Sequence, residues 1–427
     1  MDRPNSAYPL PMTLATLGAL YLAQGLPSGL FAHALPVFWR EAGVSLAWIG
    51  ALKLLALPWV LKVLWAPKID QSLQRGTAPA QWLTRLQLPA ALLLFALGWI
   101  GLAPAGSTLF LVTALVLTIN LLMATQDIVT DGLSVRWIPA RWRGHANTVQ
   151  VAGYKVGMLA GGALLLMLAQ QLPHVAAIGI PATLLIVLYL LVRRYAPMRA
   201  PLSGQAIDPT HAHEVRQDNT QPFREGFVGF LHRPGMAFWI AILACYKIAD
   251  AMGSGMIRPM LTDGGWTSAD IGTFTLITTL AGLLGAVLGG WLYQRFGSRR
   301  SLIYAGLAQA ATMAAWASVA TAGADVARVY SIGLLEQLAD GCSTVALFAV
   351  MMNLCRKDWA GTDFTLQASI QVITAGVFGA VGGVIAQFTG YATMLVLAGI
   401  LGLAVLALFA LKTRKQYRQL FDLHKDG

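Results

Sequence analysis

The stretch ATQDIVTDGLS (residues 124–134) places two carboxylates, Asp127 and Asp131, directly after the apolar run LFLVTALVLTINLLM (109–123). A membrane helix needs about 20 mostly apolar residues, so the combined segment is predicted to cross a bilayer. An acid at the centre of such a helix costs roughly 2.5–3.5 kcal/mol on insertion scales. Acids that membrane helices keep usually face the interior of a helix bundle and serve a function there. The stretch therefore predicts a helical membrane protein with a polar interior.

The composition agrees with a protein that crosses the bilayer many times. Of the 427 residues, 56% are hydrophobic and only 11% are charged, whereas soluble domains average about 25% charged residues. The three cysteines show neither metal-binding spacing nor a disulfide framework, so we expect no metal and no cofactor. The net charge of +11 is distributed over the loops, so we expect no nucleic-acid partner.

Twelve segments are long and apolar enough to span a bilayer, and we call them spans one to twelve in chain order. They cover about residues 12–36, 46–66, 86–104, 108–134, 146–171, 174–193, 236–260, 269–292, 301–322, 328–354, 364–388 and 391–412. The predicted fold class is therefore an all-α membrane protein with 12 transmembrane helices.

Basic residues concentrate in alternate loops, which predicts the orientation of the chain. One set of loops and the C-terminal tail hold most of them, for example Arg75, Arg141 and Lys412, while the opposite set holds little beyond Arg40 and Arg328. Because loops rich in Lys and Arg stay in the cytoplasm, we expect both termini to be cytoplasmic. We expect the protein in a bacterial inner membrane, as a monomer.

The two halves of the chain repeat each other faintly but in the same order. Three pairs of stretches match: TQDIVTDGLS (125–134) with LEQLADGCS (335–343), WRGHANTVQ (142–150) with WAGTDFTLQ (359–367), and EAGVSLAWIG (41–50) with DGGWTSADIG (263–272). The repeat predicts two six-helix bundles, at 1–194 and 236–427, joined by a polar cytoplasmic linker at 195–235. Secondary transporters have this layout and bind substrate near the midplane, between the halves.

This layout resembles the major facilitator superfamily. GWLYQRFGSRR (290–300) is similar to the loop signature G-x-x-x-D-R-x-G-R-R of that superfamily, with Gln294 at the position of the acid. APKIDQ (66–71), in the corresponding loop of the first half, keeps the acid as Asp70. The resemblance implies gating loops whose charges pair with helix ends. Their residues would be Asp70, Arg295, Gly297, Arg299 and Arg300.

A narrower resemblance is to the AmpG-like permeases, in LPWVLKVLWAPKID (57–70), ATQDIVTDGL, RGHANTVQVAGYKVGMLAGG (143–162) and YKIADAM (246–252). That family includes muropeptide permeases, acetyl-CoA transporters, and a shorter branch that imports ferric siderophores of the pyochelin, rhizobactin and yersiniabactin type. Muropeptide members usually carry two further C-terminal helices, whereas twelve spans are predicted in this sequence. The resemblance therefore favours a proton-coupled siderophore importer, with a muropeptide permease as the alternative.

A membrane enzyme or a non-transporting receptor is the third possibility. The sequence contains no HExxH, GxSxG or phosphate-loop pattern, so we expect no enzymatic activity. The expected partners are a small-molecule substrate, protons and the lipid bilayer.

Four acids are the candidates for proton coupling: Asp127, Asp131, Glu336 and Asp340. Each pair is four residues apart, so its members share one helix face. Like charges this close repel, so either cations from other helices neutralise them or some of them are protonated. We expect Lys53, Lys155 and Lys247 to supply the cations and Asp127 to carry the proton; the alternative is that these acids only form fixed ion pairs.

The candidate substrate-binding residues are polar or aromatic residues inside the spans: Gln24, Lys53, Gln126, Tyr154, Lys155, Tyr246, Lys247 and Asp250. QGLPSG (24–29) is predicted to interrupt span one near its middle, and DAMGSG (250–255) holds the matching place in span seven. Interrupted helices are tolerated where they line a cavity.

Overall fold

The computed structural model describes residues 9–44, 52, 55, 57–101, 108–169, 171–202, 223–415, 417 and 421, and every regular element among them is a helix. In this part of the chain, 10 helical segments are long and apolar enough to cross a membrane. One of them, Asp270–Ala322, holds two spans, because the backbone at Gly297 (φ 77°, ψ 177°) leaves the helical region. The segments therefore account for every predicted span except span two, part of which lies outside the described residues. The all-helical fold is confirmed.

The first half is built from helices that cover the whole predicted segment in spans one, four and six and part of it in spans two, three and five. In chain order these are Leu10–Gly29, the π-helical turn Leu30–Ala34 and Leu35–Glu41 (span one), Leu57–Leu61 with the 3₁₀ turn Lys62–Leu64 (end of span two), Ala66–Gln74, Pro79–Ile100 (span three), Thr108–Trp137 (span four), the 3₁₀ turn Ala140–Trp142, Arg143–Leu159 with the π-helical turn Ala160–Leu164 and Leu165–Ala169 (span five), and His174–Arg194 (span six). Span three starts before its predicted position because Pro79 fits the first turn of a helix.

The second half follows the segment 195–235, whose polar composition predicts a linker. Two short helices in this segment, Ala196–Arg199 and Phe223–Leu231, are described. The remaining helices are Met236–Tyr246 and Ile248–Asp263 (span seven), Ser268–Ala315 broken at Gly297 (spans eight and nine), Ala317–Ala322, Val326–Leu354 (span ten), and Ala360–Lys415 broken at Gly390 (spans eleven and twelve).

The predicted positions of the helix interruptions were wrong by about one turn. Span one stays α-helical through Pro27 to Gly29, and the distortion follows as the π-helical turn at Leu30–Ala34. Span seven breaks at Lys247 (φ −95°, ψ 18°) and is helical through 250–255. The glycines of span one serve close packing instead, because a Cβ on Gly25 would lie 2.2 Å from the carbonyl oxygen of Tyr154.

The chain folds into two compact units, each with its own core. The first unit comprises Met1–Ile138, Ala152–Val228 and Cys355–Leu366, and the second comprises Pro139–Val151, Gly229–Leu354 and Gln367–Gly427. Buried Leu, Ala, Ile and Val from spans one, three, four and six form much of the first core. Met, Trp, Ala and Val from spans seven, nine, ten and twelve form much of the second. Residues 355–366 thus pack with the N-terminal helices.

Candidate functional site

Asp127 on span four forms an ion pair with Lys62, the first residue of the 3₁₀ turn that ends span two. Lys62 is only 2% exposed, and its ammonium also lies 5.5 Å from the centre of the Trp59 ring. The cation that neutralises Asp127 is therefore Lys62, which the sequence analysis did not consider. Its only signal was a lysine inside the otherwise apolar run LPWVLKVLW (57–65).

Asp131, one turn further along span four, is bound from span one. The Tyr21 hydroxyl donates to Asp131 Oδ1 over 2.8 Å and lies 3.0 Å from Ser134 Oγ. One turn later, the Gln24 amide donates from Nε2 to Thr130 Oγ1 over 3.0 Å. A polar strip on span one therefore contacts the acidic face of span four, and all of it is buried.

Three buried amide atoms beside this strip have no hydrogen-bond partner among the described residues. They are Gln24 Oε1 and both polar atoms of the Gln126 side chain, Oε1 and Nε2. Gln24 and Gln126 are each 0% exposed. Most buried polar side-chain atoms in proteins are hydrogen-bonded, and each exception calls for an explanation such as a water or a ligand. These amides can therefore bind a polar ligand or a water molecule.

In the second half, Lys247 occupies the break within span seven and binds span ten. Its Nζ donates to Asp340 Oδ1 over 2.6 Å and to Ser343 Oγ over 2.9 Å. It also donates to Gln309 Oε1 on span nine over 3.0 Å. Asp250, one turn further along span seven, lies 4.0 Å away. The break places the ammonium among four acceptors from three helices.

The two polar clusters are built on corresponding positions of the sequence repeat. Tyr21 stands three residues before the stretch QGLPSG (24–29), and Lys247 stands three residues before the matching stretch DAMGSG (250–255). Each contacts the second acid of its repeat and the serine three residues beyond it. The pairs are Asp131 with Ser134 in one half and Asp340 with Ser343 in the other.

Glu336 is the acid of span ten that corresponds to Asp127, and its surroundings differ. The side chain is buried, with the residue 2% exposed. Its Oε2 accepts a hydrogen bond from Gln337 Nε2 over 3.1 Å, whereas Oε1 has no partner within the described part of the chain. No lysine stands to Glu336 as Lys62 does to Asp127 in the ion pairs that the structure shows.

The other sequence candidates lie at different depths. Lys53 is outside the described residues. Tyr154 and Lys155 on span five are half-buried, and the Tyr154 ring meets Trp59 edge-on with 6.4 Å between centroids. The Tyr246 hydroxyl donates to the carbonyl oxygen of Leu302 over 2.9 Å, so this group is used in packing within its own bundle.

Asp70, which lies on the helix Ala66–Gln74, binds the start of span eleven. Asp70 is 0% exposed, and its Oδ2 accepts hydrogen bonds from the backbone N–H and the hydroxyl of Thr362, both over 2.7 Å. Its Oδ1 accepts from Arg136 Nη2 over 2.7 Å and from the Gly361 N–H over 3.3 Å. A carboxylate at a helix N-terminus is favoured by the unpaired N–H groups and by the helix dipole.

In the corresponding stretch of the second half, the hydrogen bonds go to neutral groups. Gly297 ends the helix of span eight, and Arg299 donates to Thr413 Oγ1 over 2.9 Å and to the carbonyl oxygen of Ala410 over 3.0 Å. Arg295 lies over the Phe296 ring, and Arg300 is exposed.

Neutral groups and an arginine replace the missing acid. Arg143 donates to Asn353 Oδ1 over 2.7 Å, and Asn353 donates in turn to Ser298 Oγ over 3.2 Å and to the Tyr293 hydroxyl. The two stretches that resemble the loop signature are therefore not equivalent: the first uses a buried charge, and the second uses an amide and a phenol.

The sequence profile of the Major Facilitator Superfamily matches residues 17–378, and the chain belongs to that superfamily. It is a multi-pass membrane protein and a secondary transporter of small molecules. Its structure is similar to that of the Escherichia coli fucose:proton symporter, with a TM-score of 0.69 and 15% identity, over 95% of this chain and 99% of that one. At this identity the likeness shows the fold alone.

Within the superfamily the chain is similar to permeases of the AmpG type. It is 29% identical over 390 residues to the anhydromuropeptide permease of Escherichia coli (strain K12), covering 89% of this chain and 75% of that protein. It is 25% identical to the putative transporter AmpG 4 of Rickettsia conorii, covering 82% of this chain and 84% of that protein.

Proposed function

We propose that this protein imports an anhydromuropeptide across the bacterial inner membrane, driven by protons. The observation that carries the proposal is the likeness to the anhydromuropeptide permease over 89% of this chain. Siderophore import was the leading expectation from the sequence and muropeptide transport its alternative. The comparisons favour the alternative, because the Escherichia coli permease to which the chain is similar is named for the transport of an anhydromuropeptide.

The unpartnered amides of Gln24 and Gln126 suit such a substrate. A muropeptide is an amino sugar bearing a short peptide, so it offers many neutral hydroxyl, N–H and carbonyl groups. Binding sites of this kind combine apolar walls with a few convergent polar groups. Two amides, each able to donate and accept, can hold the sugar or the peptide without adding a charge to the membrane interior.

The acids inside the spans support the proton-coupled part of the proposal. The two bundles at 1–194 and 236–427 would alternate access to a site at mid-membrane. The acids that would either bind a proton or only form ion pairs are Asp127, Asp131, Glu336 and Asp340. A carboxyl group that is exposed in turn to the water on each side of the membrane can gain a proton on one side and lose it on the other. The substrate and the proton would then cross together.

The Asp70 cluster would act as a lock in this cycle. It ties the loop after span two to the first turn of span eleven through one carboxylate. Opening the protein there requires these bonds to break, so the strength of the cluster sets how readily the site opens. This role agrees with the gating function that the loop signature implies.

Uptake by right-side-out membrane vesicles that contain the protein tests the proposal. Radiolabelled anhydromuropeptide and a ferric phenolate–thiazoline siderophore are supplied separately, with an inward proton gradient, and the accumulated label is recovered and identified. The proposal expects the intact muropeptide inside the vesicles and no uptake of the siderophore. Accumulation of the siderophore alone would overturn the muropeptide assignment, and recovery of a cleaved product would overturn the assignment as a transporter without enzymatic activity.

A further inference from the structure

The acids of the two halves differ in how their charge is balanced. In the first half, the ammonium of Lys62 meets Asp127 directly, and both are buried. In the second half, the ammonium of Lys247 donates its three hydrogens to Asp340, Ser343 and Gln309. A single cation there faces the carboxyls of both Asp340 and Asp250.

Glu336 adds a third carboxyl to the second cluster. It lies one turn before Asp340 on the same helix, and the charged groups near it are Asp250, Asp340 and Lys247. The hydrogens of Lys247 go to other acceptors, and Glu336 receives a hydrogen bond only at Oε2, from the neutral amide of Gln337. Its Oε1 is buried and unpartnered among the residues that the structure describes.

An ionised carboxylate in this position is costly. Removing a charge from water without a partner costs several kcal/mol after relaxation, and two neighbouring acids add repulsion. A carboxylic acid avoids both costs, because it carries no charge. The charge of Asp127 is balanced in a different way, because Lys62 supplies the opposite charge in direct contact.

We infer that Glu336 is the proton-carrying residue of this transporter and that Asp127 is a fixed ion-pair partner. This inference rests on the proposed proton-coupled function and reverses the expectation from the sequence, which favoured Asp127. The proton adds to the carboxylate oxygen of Glu336 from water on the side that supplies it, and it returns to water on the other side. No other bond forms or breaks, and no electron moves.

Lys247 is a positioning residue in this scheme. While Glu336 is protonated, Lys247 and Asp340 form a neutral pair at 2.6 Å beside it. When Glu336 loses its proton, a new negative charge appears next to Asp250 and Asp340. The ammonium of Lys247 is then drawn toward Glu336, and the break in span seven at Lys247 gives the backbone room to follow.

Labelling with dicyclohexylcarbodiimide tests the assignment on the purified, full-length protein without any substrate. This reagent adds to protonated carboxyl groups in apolar surroundings and leaves a stable acylurea, which peptide mass spectrometry locates. We expect labelling of Glu336 to exceed that of Asp127 severalfold, because Asp127 already holds a cation in direct contact. The label at Glu336 should decline as the pH of the reaction rises.

Two variants control the experiment. Glu336→Gln should remove the main label, and Glu225→Gln, at an exposed residue of the linker helix Phe223–Leu231, should leave it unchanged. Label on Asp127 or Asp131 with Glu336 unmodified would overturn the inference, as would the absence of label from Glu336 in the unaltered protein. The result is separate from the proposed substrate: labelled Glu336 in a protein that does not transport muropeptide would refute the substrate and leave the proton site standing.

Discussion

Tyr21 and Lys247 stand at corresponding positions of the two repeats and make the same pair of contacts. Each binds the second acid of its repeat and the serine three residues beyond, at 2.8 and 3.0 Å for Tyr21 and at 2.6 and 2.9 Å for Lys247. The geometry is kept while the charge is changed, because a phenol is neutral and an ammonium is not. The two halves of the chain thus carry clusters with different charge balance.

Tyr21→Phe should lower the free energy of unfolding by about 1–3 kcal/mol, because it removes the hydrogen bond that Tyr21 donates to the buried carboxyl group of Asp131. Thermal unfolding of the purified protein in detergent measures the effect. Tyr304→Phe is the matched control, because Tyr304 is 48% exposed. Equal melting temperatures for the two variants would show that the bond from Tyr21 to Asp131 does not stabilise the fold.

Lys62→Met should lower the free energy of unfolding by about 3–5 kcal/mol, because it leaves the charge of Asp127 buried without its cation. Adding Asp127→Asn should restore most of the loss, since the double variant removes both charges. Lys68→Met is the control at an exposed lysine. A double variant no more stable than Lys62→Met alone would contradict the fixed ion pair.

Gln126→Ala should raise the KM for the transported muropeptide and leave the melting temperature unchanged or higher, because its amide has no partner among the described residues. Gln87→Ala is the contrasting variant. Gln87 is equally buried and its Oε1 also has no partner among the described residues, but its Nε2 donates to the carbonyl oxygen of Leu185 over 3.2 Å, so this variant should lose stability and keep its KM. An unchanged KM in Gln126→Ala would remove Gln126 from the substrate site.

Asp70→Asn should weaken the lock at the start of span eleven, because an amide keeps the size of the carboxylate and loses its charge. Hydrogen bonds to charged groups are worth about 1.5–3 kcal/mol, and Asp70 accepts four. Thr362→Val removes only the hydroxyl donor and should cost less. Maleimide labelling of Cys355, which lies in the same unit, reports the opening: the rate should rise more in Asp70→Asn than in Thr362→Val. The reverse order, or no change, would contradict the lock.

The sequence predicted the helices and the acidic face of span four, because both follow from local pattern: apolar length in one case and a spacing of four residues in the other. It did not predict the Lys62–Asp127 pair, because hydropathy does not give the rotation of span two against span four. The break at Lys247 was also missed, since no proline or glycine marks it. The contact between Asp70 and Thr362 joins residues 292 positions apart, and only the loop signature pointed to a role for Asp70.

The polar composition of the linker does not predict the contacts that its helix Phe223–Leu231 makes. Arg356 donates to Asp363 over 2.7 Å and also to the carbonyl oxygens of Glu225 and Gly226 on the linker helix, over 3.2 and 2.7 Å. Polar composition predicts a linker between the two halves of the chain. It does not show that one end of the segment folds as a helix and packs beside the start of span eleven, because those partners lie more than 100 residues away in sequence.

The most direct test of the central claim is the proton movement that accompanies substrate. Proteoliposomes containing the purified protein are placed in weakly buffered medium with a pH indicator, and anhydromuropeptide is added without an imposed gradient. Coupled import predicts that the medium becomes more alkaline as the muropeptide enters the liposomes, and that Glu336→Gln abolishes the alkalinisation. Entry of the muropeptide with no change in the pH of the medium would contradict it.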